Sequence, residues 1–348
     1  MRFASDNWAG AAPEILQAVI DANTETVPSY GGDALTKKTE QKFSDIFERD
    51  CSVFFVATGG GANGLALSVI TPPYGMVLCH NESHIQMDEC AGPEFFTGGA
   101  KLLPIPGEGG KITPQSLEKT IAGFPDRAPH GAPITTLSLT QGTESGTIYS
   151  VSELKALNDV AKKAGLQIHM DGARFANAVV GTGATPADLT WKSGVDVLCF
   201  GGTKNGCLAA EAVVFFDKQK AADFSFRRKR AGHLISKMRF IAAQFDAYLS
   251  GDLWLRLARH ANEKAQALSD GLSALPGVEI AYPTQINEVF ARIPNPIADD
   301  LRQDGIFFYP WITPGNPPEK DVQRLICSFR TTDDEIETFL QQVRKKLR

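Results

Sequence analysis

Between about residues 36 and 240, apolar runs with strand-like spacing alternate with stretches whose apolar residues recur at helical spacing. The pattern predicts helices at 37–47, 62–70 and 151–164, and strands at 52–57, 76–79, 134–139, 166–170, 195–200 and 212–216. Such alternation is typical of an α/β fold around a mostly parallel sheet. We therefore expect a large α/β domain over residues 1–245, beginning with an N-terminal arm at 1–14.

The pattern changes in the last hundred or so residues. A long amphipathic stretch at 253–275 is followed by predicted strands at 278–281, 287–293, 306–309 and 324–329, and by a closing helix at 333–347. This order predicts a smaller C-terminal α+β domain over residues 246–348. The proline-rich segments 124–133 and 310–318 are expected to be irregular loops.

Two neighbouring predicted strands lead into residues that suggest a common chemistry. Asp171 follows the run Ile168-His169-Met170, and Lys204 follows a Gly-Gly-Thr after the next strand, so both should lie at carboxyl ends of strands. Pyridoxal phosphate requires a lysine that holds its aldehyde as a Schiff base and a carboxylate that keeps its ring nitrogen protonated. Arg174 could donate to the ring 3-oxygen. The alternative is an Asp–Arg turn and a solvated lysine.

A glycine motif after the first predicted strand supports a rival class of enzyme. Gly59, Gly61 and Gly64 match G-x-G-x-x-G, and Glu82 is a possible ribose-binding acid, as in a dehydrogenase. The helix N-terminus that such a loop precedes would equally hold the phosphate of pyridoxal phosphate. The dehydrogenase hypothesis leaves the aspartate–lysine pair unexplained, so we favour the pyridoxal hypothesis.

A cluster of possible metal ligands lies between residues 80 and 89. His80 and His84 are spaced like zinc ligands, and three carboxylates accompany them, from Glu82, Asp88 and Glu89. Such ligands must converge from one helical face, whereas here the histidines are expected in a loop and at a helix start. No resident metal is therefore expected. Stacking on the pyridine ring, close to the reacting carbon, is the favoured role for His84, and a helix cap is the alternative.

Composition limits the other classes. The chain has 348 residues, 43% of them hydrophobic, and a formal net charge of −5, so it can bury a substantial core and offers no field that attracts nucleic acid. No stretch resembles a signal peptide or a membrane helix, and we expect a cytoplasmic protein with no membrane partner. Six cysteines without Cys-x-x-Cys spacing are expected to be reduced thiols.

Taken together, the motifs resemble the L-threonine aldolase group of the β-eliminating lyase family, which are fold type I pyridoxal phosphate enzymes. The resemblance covers nearly the whole chain. It is carried by Ser5-Asp6-Asn7, Tyr30-Gly31-Gly32-Asp33, residues 58–63, His84 with Glu89, residues 169–174, Lys204, and residues 324–328. It implies a mostly parallel seven-stranded sheet, a smaller C-terminal domain, and a homodimer or homotetramer with shared active sites.

The resemblance also implies roles for individual residues. The catalytic residues would be Lys204, His84 and Asp171. The cofactor would be bound by Gly59, Gly60, Asn63, His84, Asp171, Arg174 and Lys204. The substrate would be bound by Ser5, Tyr30, Asp33, Asp88, Arg174 and Arg324. Within this last group Ser5 and Arg324 would hold the carboxylate, and Tyr30 and Asp33 would come from another subunit.

The implied reaction is cleavage of an L-β-hydroxy-α-amino acid, such as L-threonine, L-allo-threonine or L-phenylserine, to glycine and an aldehyde. Three departures from the family pattern stand out: Gly60 replaces a usual threonine, Asp88 replaces a usual aromatic residue, and the 140–146 loop lacks a histidine near the substrate hydroxyl. The last two resemble the phenylserine aldolase branch. Another fold type I enzyme, such as a β-eliminating lyase or an aminotransferase, remains the main alternative, and a catalytically silent binding module is a remote one.

Overall fold

The computed structural model describes residues 1–24, 26–312 and 322–347. Its helices in chain order are α1 (Pro13–Asp21), α2 (Ala34–Ile46), α3 (Gly59–Ile70), α4 (His84–Met87), α5 (Gly92–Thr97), α6 (Pro114–Ala122), α7 (Val151–Lys163), α8 (Phe175–Thr182), α9 (Phe224–Arg230), α10 (Arg239–Tyr248), α11 (Leu253–Ser273), α12 (Asn295–Gln303) and α13 (Asp333–Lys346). Its strands are β1 (Ser52–Val56), β2 (Met76–His80), β3 (Lys101–Ile105), β4 (Ile134–Thr140), β5 (Gln167–Gly172), β6 (Val197–Gly201), β7 (Glu211–Phe215), β8 (Glu279–Ile280), β9 (Glu288–Arg292), β10 (Tyr309–Pro310) and β11 (Val322–Ile326).

The large sheet has seven strands in the order β1-β7-β6-β5-β4-β2-β3. Strand β7 runs antiparallel to both its neighbours, and the other pairs are parallel, so the predicted mostly parallel sheet is confirmed. Its strands alternate their side chains between two apolar clusters. Leu198 and Phe200 pack with α2 and α10, whereas Val197 and Cys199 pack with α3 and α9. A sheet covered on both faces explains why its strands appear as almost continuous apolar runs.

The smaller sheet is antiparallel, in the order β10-β11-β9-β8, and packs with α11 and α13 around its own core. The N-terminal arm joins this core, because Phe3 is buried there, donates its backbone N–H to the Phe307 carbonyl and accepts the Ile326 N–H. Helix α10 crosses the predicted division at residue 245, so the exact domain boundaries stay a prediction.

Not every element follows the prediction. Strand β3 and helices α1, α5, α6, α8, α9, α10 and α12 were not predicted, and the predicted strand 306–309 is reduced to β10. Residues 124–133 are irregular, as expected. In the other predicted loop, 310–318, Pro310 belongs to β10 and residues 313–318 lie outside the described ranges.

Two findings bear on composition. All six cysteines are free, and five of them are buried. None of the helices within residues 1–24, 26–312 and 322–347 is long and apolar enough to cross a bilayer.

Strand direction decides where functional groups can meet. Strands β1, β4, β5 and β6 all point the same way, so their carboxyl ends share one edge of the sheet. The N-terminus of α3, which follows β1, opens onto the same edge. Ligands of open α/β sheets bind at this edge.

Candidate active site

A cavity of about 290 Å³ lies at the carboxyl ends of β5 and β6, and both Asp171 and Lys204 line it. Asp171 is the next to last residue of β5, opposite Cys199 of β6. Lys204 lies in a short 3-10 helix, Thr203–Asn205, directly after β6. The structure therefore brings the aspartate and the lysine of the sequence motif to one site.

Asp171 is a fixed, ionised carboxylate. It is buried, and its oxygens accept hydrogen bonds from the Ala173 backbone N–H at 2.9 Å and from Asn63 Nδ2 at 2.8 Å. Burial acts to raise the pKa of Asp171, but the charges of His84 and Lys204 outweigh it and hold the pKa below the ordinary value. A carboxylate held in this way can stabilise a protonated ring nitrogen.

His84 begins α4 and is oriented by a buried acid. Its Nδ1 lies 2.8 Å from Glu89 Oε1, and the Glu89 side chain is only 3% exposed, whereas that of His84 is 40% exposed. The hydrogen bond to Glu89 raises the pKa of His84, although burial opposes it. His84 also lines the cavity, so a ring held by Glu89 borders the same space as Asp171.

The glycine loop forms the N-terminus of α3. Thr58 caps the helix by accepting the Gly61 N–H at 3.2 Å, and residues 57–60 line the cavity. A Cβ at Gly59 would meet nothing within 4 Å, whereas one at Gly61 would come within 2.3 Å of the His233 ring and one at Gly64 within 2.5 Å of Phe96. Gly61 and Gly64 thus allow His233 and Phe96 to pack closely against α3. The N-terminus of α3 at Gly59 is open, which fits the binding of a phosphate group.

Arg174 is held by carboxylates on two sides. Its Nε and Nη2 donate to the two oxygens of Asp6 at 2.8 and 3.2 Å, and Nη2 lies 3.3 Å from Glu288 Oε1. Burial acts to raise the pKa of Asp6, but the charge of Arg174 holds it below the ordinary value. Arg174 lines the cavity, so a guanidinium of fixed position stands beside Asp171.

Comparison with known proteins identifies the family to which a chain with this site belongs. The model of the Beta-eliminating lyase family matches residues 2–295. The chain belongs to this family. A low specificity L-threonine aldolase of a Pseudomonas species is 43% identical over 99% of this chain and 97% of its own length.

Solved structures agree with this family assignment. The threonine aldolase of Leishmania major superposes with a TM-score of 0.92 and 26% identity, covering 100% of this chain and 99% of that one. Cystalysin from Treponema denticola, which contains pyridoxal 5'-phosphate, superposes with a TM-score of 0.73 at 15% identity, covering 97% of this chain and 88% of that one. The chain thus has the fold type I architecture expected of this lyase family.

The topology of this family member excludes the dinucleotide hypothesis. In a dinucleotide fold the ribose acid ends the strand beside the glycine loop. Here β1 is an edge strand whose neighbour is β7, and Glu82 follows β2, near the opposite edge. Glu82 accepts a hydrogen bond from Ser145 and lines a different cavity.

The hypothetical zinc pair is not assembled either. His80 ends β2, where its Nδ1 accepts the Glu82 N–H at 3.1 Å and its Nε2 lies 3.2 Å from the Gly107 carbonyl oxygen. Among the described residues, His84, Glu89 and Asp171 place ligand atoms within 4.8 Å of one another. Hydrogen bonds account for this proximity, because Asn63 Nδ2 donates to both carboxylates at 2.8 Å.

Several expected substrate-binding residues lie outside the cavity of the single chain. Ser5 accepts the Asn7 N–H, and Asn7 is the one of the two that lines the cavity. Asp33 is buried and caps α2 by accepting from the Thr36 N–H and hydroxyl, both at 2.8 Å. Tyr30 is half exposed and its ring lies beneath Lys229.

Arg324 and Asp88 line a neighbouring cavity of about 260 Å³, together with Met87 and Trp311. The Arg324 guanidinium carbon lies 5.5 Å from the centre of the Trp311 ring, and its buried Nε has no hydrogen-bond partner within the described part of the chain. A cationic fork beside an aromatic wall therefore lies next to the lysine cavity.

Two carboxylates of the lysine cavity were not predicted. Burial raises the pKa of Glu211, which lies on β7 near Thr203, to about 7, and that of Glu144, in the loop after β4, also to about 7. Both line the cavity. The sequence signal that could have revealed Glu211 is its position as a charged residue at the start of the apolar run 211–216. For Glu144, the signal is its place in the 140–146 loop, which departs from the family pattern.

Proposed function

We propose that the chain is a pyridoxal phosphate-dependent carbon–carbon lyase that cleaves an L-β-hydroxy-α-amino acid to glycine and an aldehyde. The observation that carries the proposal is the convergence of Lys204, Asp171 and the N-terminus of α3 on one cavity. The 43% identity to a low specificity L-threonine aldolase over nearly the full length of both chains supports the same reaction.

The donor set fits the cofactor at its aldehyde, its ring nitrogen and its phosphate. Lys204 would hold the aldehyde, the Asp171 carboxylate would face the ring nitrogen, and the free N–H groups of Gly59 and Gly60 would bind the phosphate. Asn63 would support the ring site through its hydrogen bond to Asp171. When bound, pyridoxal phosphate accepts the electron pair that bond cleavage leaves on the α-carbon.

The remaining residues would orient the substrate. Arg324 would bind the α-carboxylate, because a guanidinium fork holds a planar carboxylate at two points, and this fixes which bond of the α-carbon stands perpendicular to the ring. Ser5 would assist Arg324 in holding the carboxylate, and Asn7, two residues later, lines the lysine cavity. Arg174 keeps its position through Asp6, and one edge of its guanidinium would remain for the cofactor or the carboxylate. His84 would stack on the ring and take part in moving the β-hydroxyl proton.

Three finer statements belong to the same proposal. An aryl β-substituent would be accommodated between Met87 and Trp311, as in a phenylserine aldolase. A homodimer or homotetramer would bring Tyr30 and Asp33 to a neighbouring active site, although Asp33 also caps its own helix. The cytoplasmic location remains a prediction from the sequence.

The first experiment is product analysis with the purified protein, pyridoxal phosphate, and L-threonine, L-allo-threonine or L-phenylserine. We expect equal amounts of glycine and aldehyde. Release of a keto acid with ammonia, or transfer of the amino group to a keto acid, would instead identify the β-eliminating or aminotransferase alternative. Sedimentation at several concentrations would give the number of subunits.

Lys204→Ala tests the role of the lysine. We expect turnover to fall by several orders of magnitude. In the parent protein, borohydride should fix the cofactor covalently to Lys204, so that it stays attached after denaturation, and this attachment should be lost in the variant. Lys218→Ala, which removes a surface ion pair with Asp50, is the matched control and should keep both properties. Attached cofactor in Lys204→Ala would assign the role to another lysine.

A further inference from the structure

Glu144 has an unusual position in the cavity. One carboxylate oxygen, Oε1, accepts the backbone N–H of His84 at 2.7 Å and the hydroxyl of Thr140 at 3.0 Å. The other oxygen, Oε2, is buried and has no hydrogen-bond partner in the described part of the chain. A buried carboxylate oxygen without a partner is costly, and in a site it is a candidate for contact with a ligand.

We infer that Glu144 is a second acid–base group of the site, which exchanges a proton with the β-hydroxyl group of the substrate through Oε2. The inference rests on the proposed lyase function and names a residue that sequence motifs did not assign. Two contacts hold Oε1, so the carboxyl group is fixed before substrate binds. His84 begins α4 at one of these contacts, which sets the two groups side by side at the cavity.

The proton balance of cleavage gives Glu144 a defined task. The hydroxyl O–H bond breaks and its proton moves to Oε2, while the carbon–oxygen bond becomes the carbonyl of the aldehyde. The Cα–Cβ bond breaks, and its electron pair stays with the glycine fragment, where bound pyridoxal phosphate would accept it. In the reverse direction the protonated carboxyl returns the proton to the aldehyde oxygen.

The electrostatic surroundings suit this exchange. Burial, and then the charge of Asp171, raise the pKa of Glu144 to about 7, while the hydrogen bond from the His84 N–H lowers it. A group that titrates near neutral pH can both accept and donate. The titratable or charged groups that interact with Glu144 are Asp171, His84, Arg174, Cys79 and Tyr149.

Glu144→Gln separates this role from a structural one. The glutamine carbonyl can still accept from His84 and Thr140, but the group no longer titrates. We expect kcat/KM for cleavage to fall by about 100-fold or more and to lose its rise with pH through about 7. Affinities for pyridoxal phosphate and glycine should stay within about two-fold, and exchange of the glycine α-proton in deuterated water should persist, because glycine has no β-hydroxyl.

Two further variants serve as controls. Glu144→Asp retains a titrating carboxyl at a shorter reach, so its cleavage should fall less and its pH profile should keep the limb near neutrality. Ser145→Ala removes a hydrogen bond from the same loop to Glu82 but no group of the cavity, and should retain the pH profile of the unmodified protein.

The opposing outcomes are distinct. Unchanged cleavage and pH profile in Glu144→Gln would overturn the inference, and so would a loss of glycine exchange as large as the loss of cleavage, because Glu144 would then act only by holding His84. A parent protein that cleaves no β-hydroxy amino acid would overturn the proposed function itself, before any variant is compared.

Discussion

At the scale of single residues, the site keeps groups that cost stability. Glu144 is an acid whose pKa is raised from the ordinary 4.5 to about 7, so the folded protein binds its proton more tightly than the unfolded chain. Its destabilising effect is absent below the unfolded pKa and develops as pH rises from about 4.5 to about 7. A group that lowers stability in this way is expected at functional sites, where activity and stability conflict.

Glu144→Gln should therefore stabilise the protein at alkaline pH. We expect the free energy of unfolding at pH 8 to rise by up to about 3 kcal/mol relative to the parent, and the gain to shrink as pH falls toward 5. Denaturant unfolding at several pH values measures it. Glu153→Gln is a control of opposite sign, because burial acts to raise the pKa of Glu153 but hydrogen bonds with Lys111 and Ser150 hold it below the ordinary value. A gain that is the same at every pH would show that ionisation of Glu144 is not its cause.

Residues within one motif were predictable, and residues that act across the fold were not. Asp171 and Lys204 each follow an apolar strand run, so the sequence around them was enough. Asp6 meets Arg174 across 168 positions, and that pairing depends on how the arm folds back. Glu144 takes its significance from a backbone contact 60 positions away.

At the scale of elements, prediction succeeded where burial leaves a periodic signal. Strand β6 is buried throughout and β5 is buried after its first residue, and both were predicted from their apolar residues. Strand β3 is an edge strand, partly exposed and containing Pro104, so it lacks both alternation and a continuous apolar run. Helix α8 begins without a side-chain cap and is short, which removed the usual start signal.

Helix α3 offers a test of how packing maintains the phosphate end. A methyl group at Gly61 would meet the His233 ring at 2.3 Å, so Gly61→Ala must displace either the ring or the helix start. We expect a loss of about 1–3 kcal/mol of unfolding free energy and weaker binding of pyridoxal phosphate. Thermal unfolding and cofactor titration measure the two effects.

His233 supplies the second arm of that test. Adding His233→Ala to Gly61→Ala removes the contact with the ring and leaves only the approach to Thr58 Oγ1 at 2.8 Å. The double variant should therefore recover part of the loss, so the effects of the two substitutions should not be additive. Gly59→Ala, where the new methyl group meets nothing within 4 Å, should leave the unfolding free energy unchanged. Equal losses at positions 59 and 61 would show that the ring contact is not the cause, and helix propensity would not explain them either, because alanine is the better helix former.

At the scale of the whole molecule, the two cores are joined by shared elements. Helix α11 contributes Leu253 and Trp254 to the core of the large sheet and Leu268 and Leu272 to that of the small sheet. The N-terminal arm makes a second, polar connection through Asp6. Since one continuous helix belongs to both cores, we expect the protein to unfold in a single cooperative transition.

Asp6→Asn tests the polar connection. Asp6 bonds to Arg174 after β5 of the large sheet and to Asn287 before β9 of the small sheet. Removing its charge leaves Arg174, which is largely buried, with Glu288 alone, and breaking one partner of a buried pair costs about 3–5 kcal/mol. We expect a lower unfolding midpoint in one transition, because α11 still couples the cores.

Ser5→Ala, which loses one exposed hydrogen bond in the same arm, is the control and should change the midpoint little. Two separate transitions in Asp6→Asn would show instead that the arm, and not α11, makes the two cores unfold together.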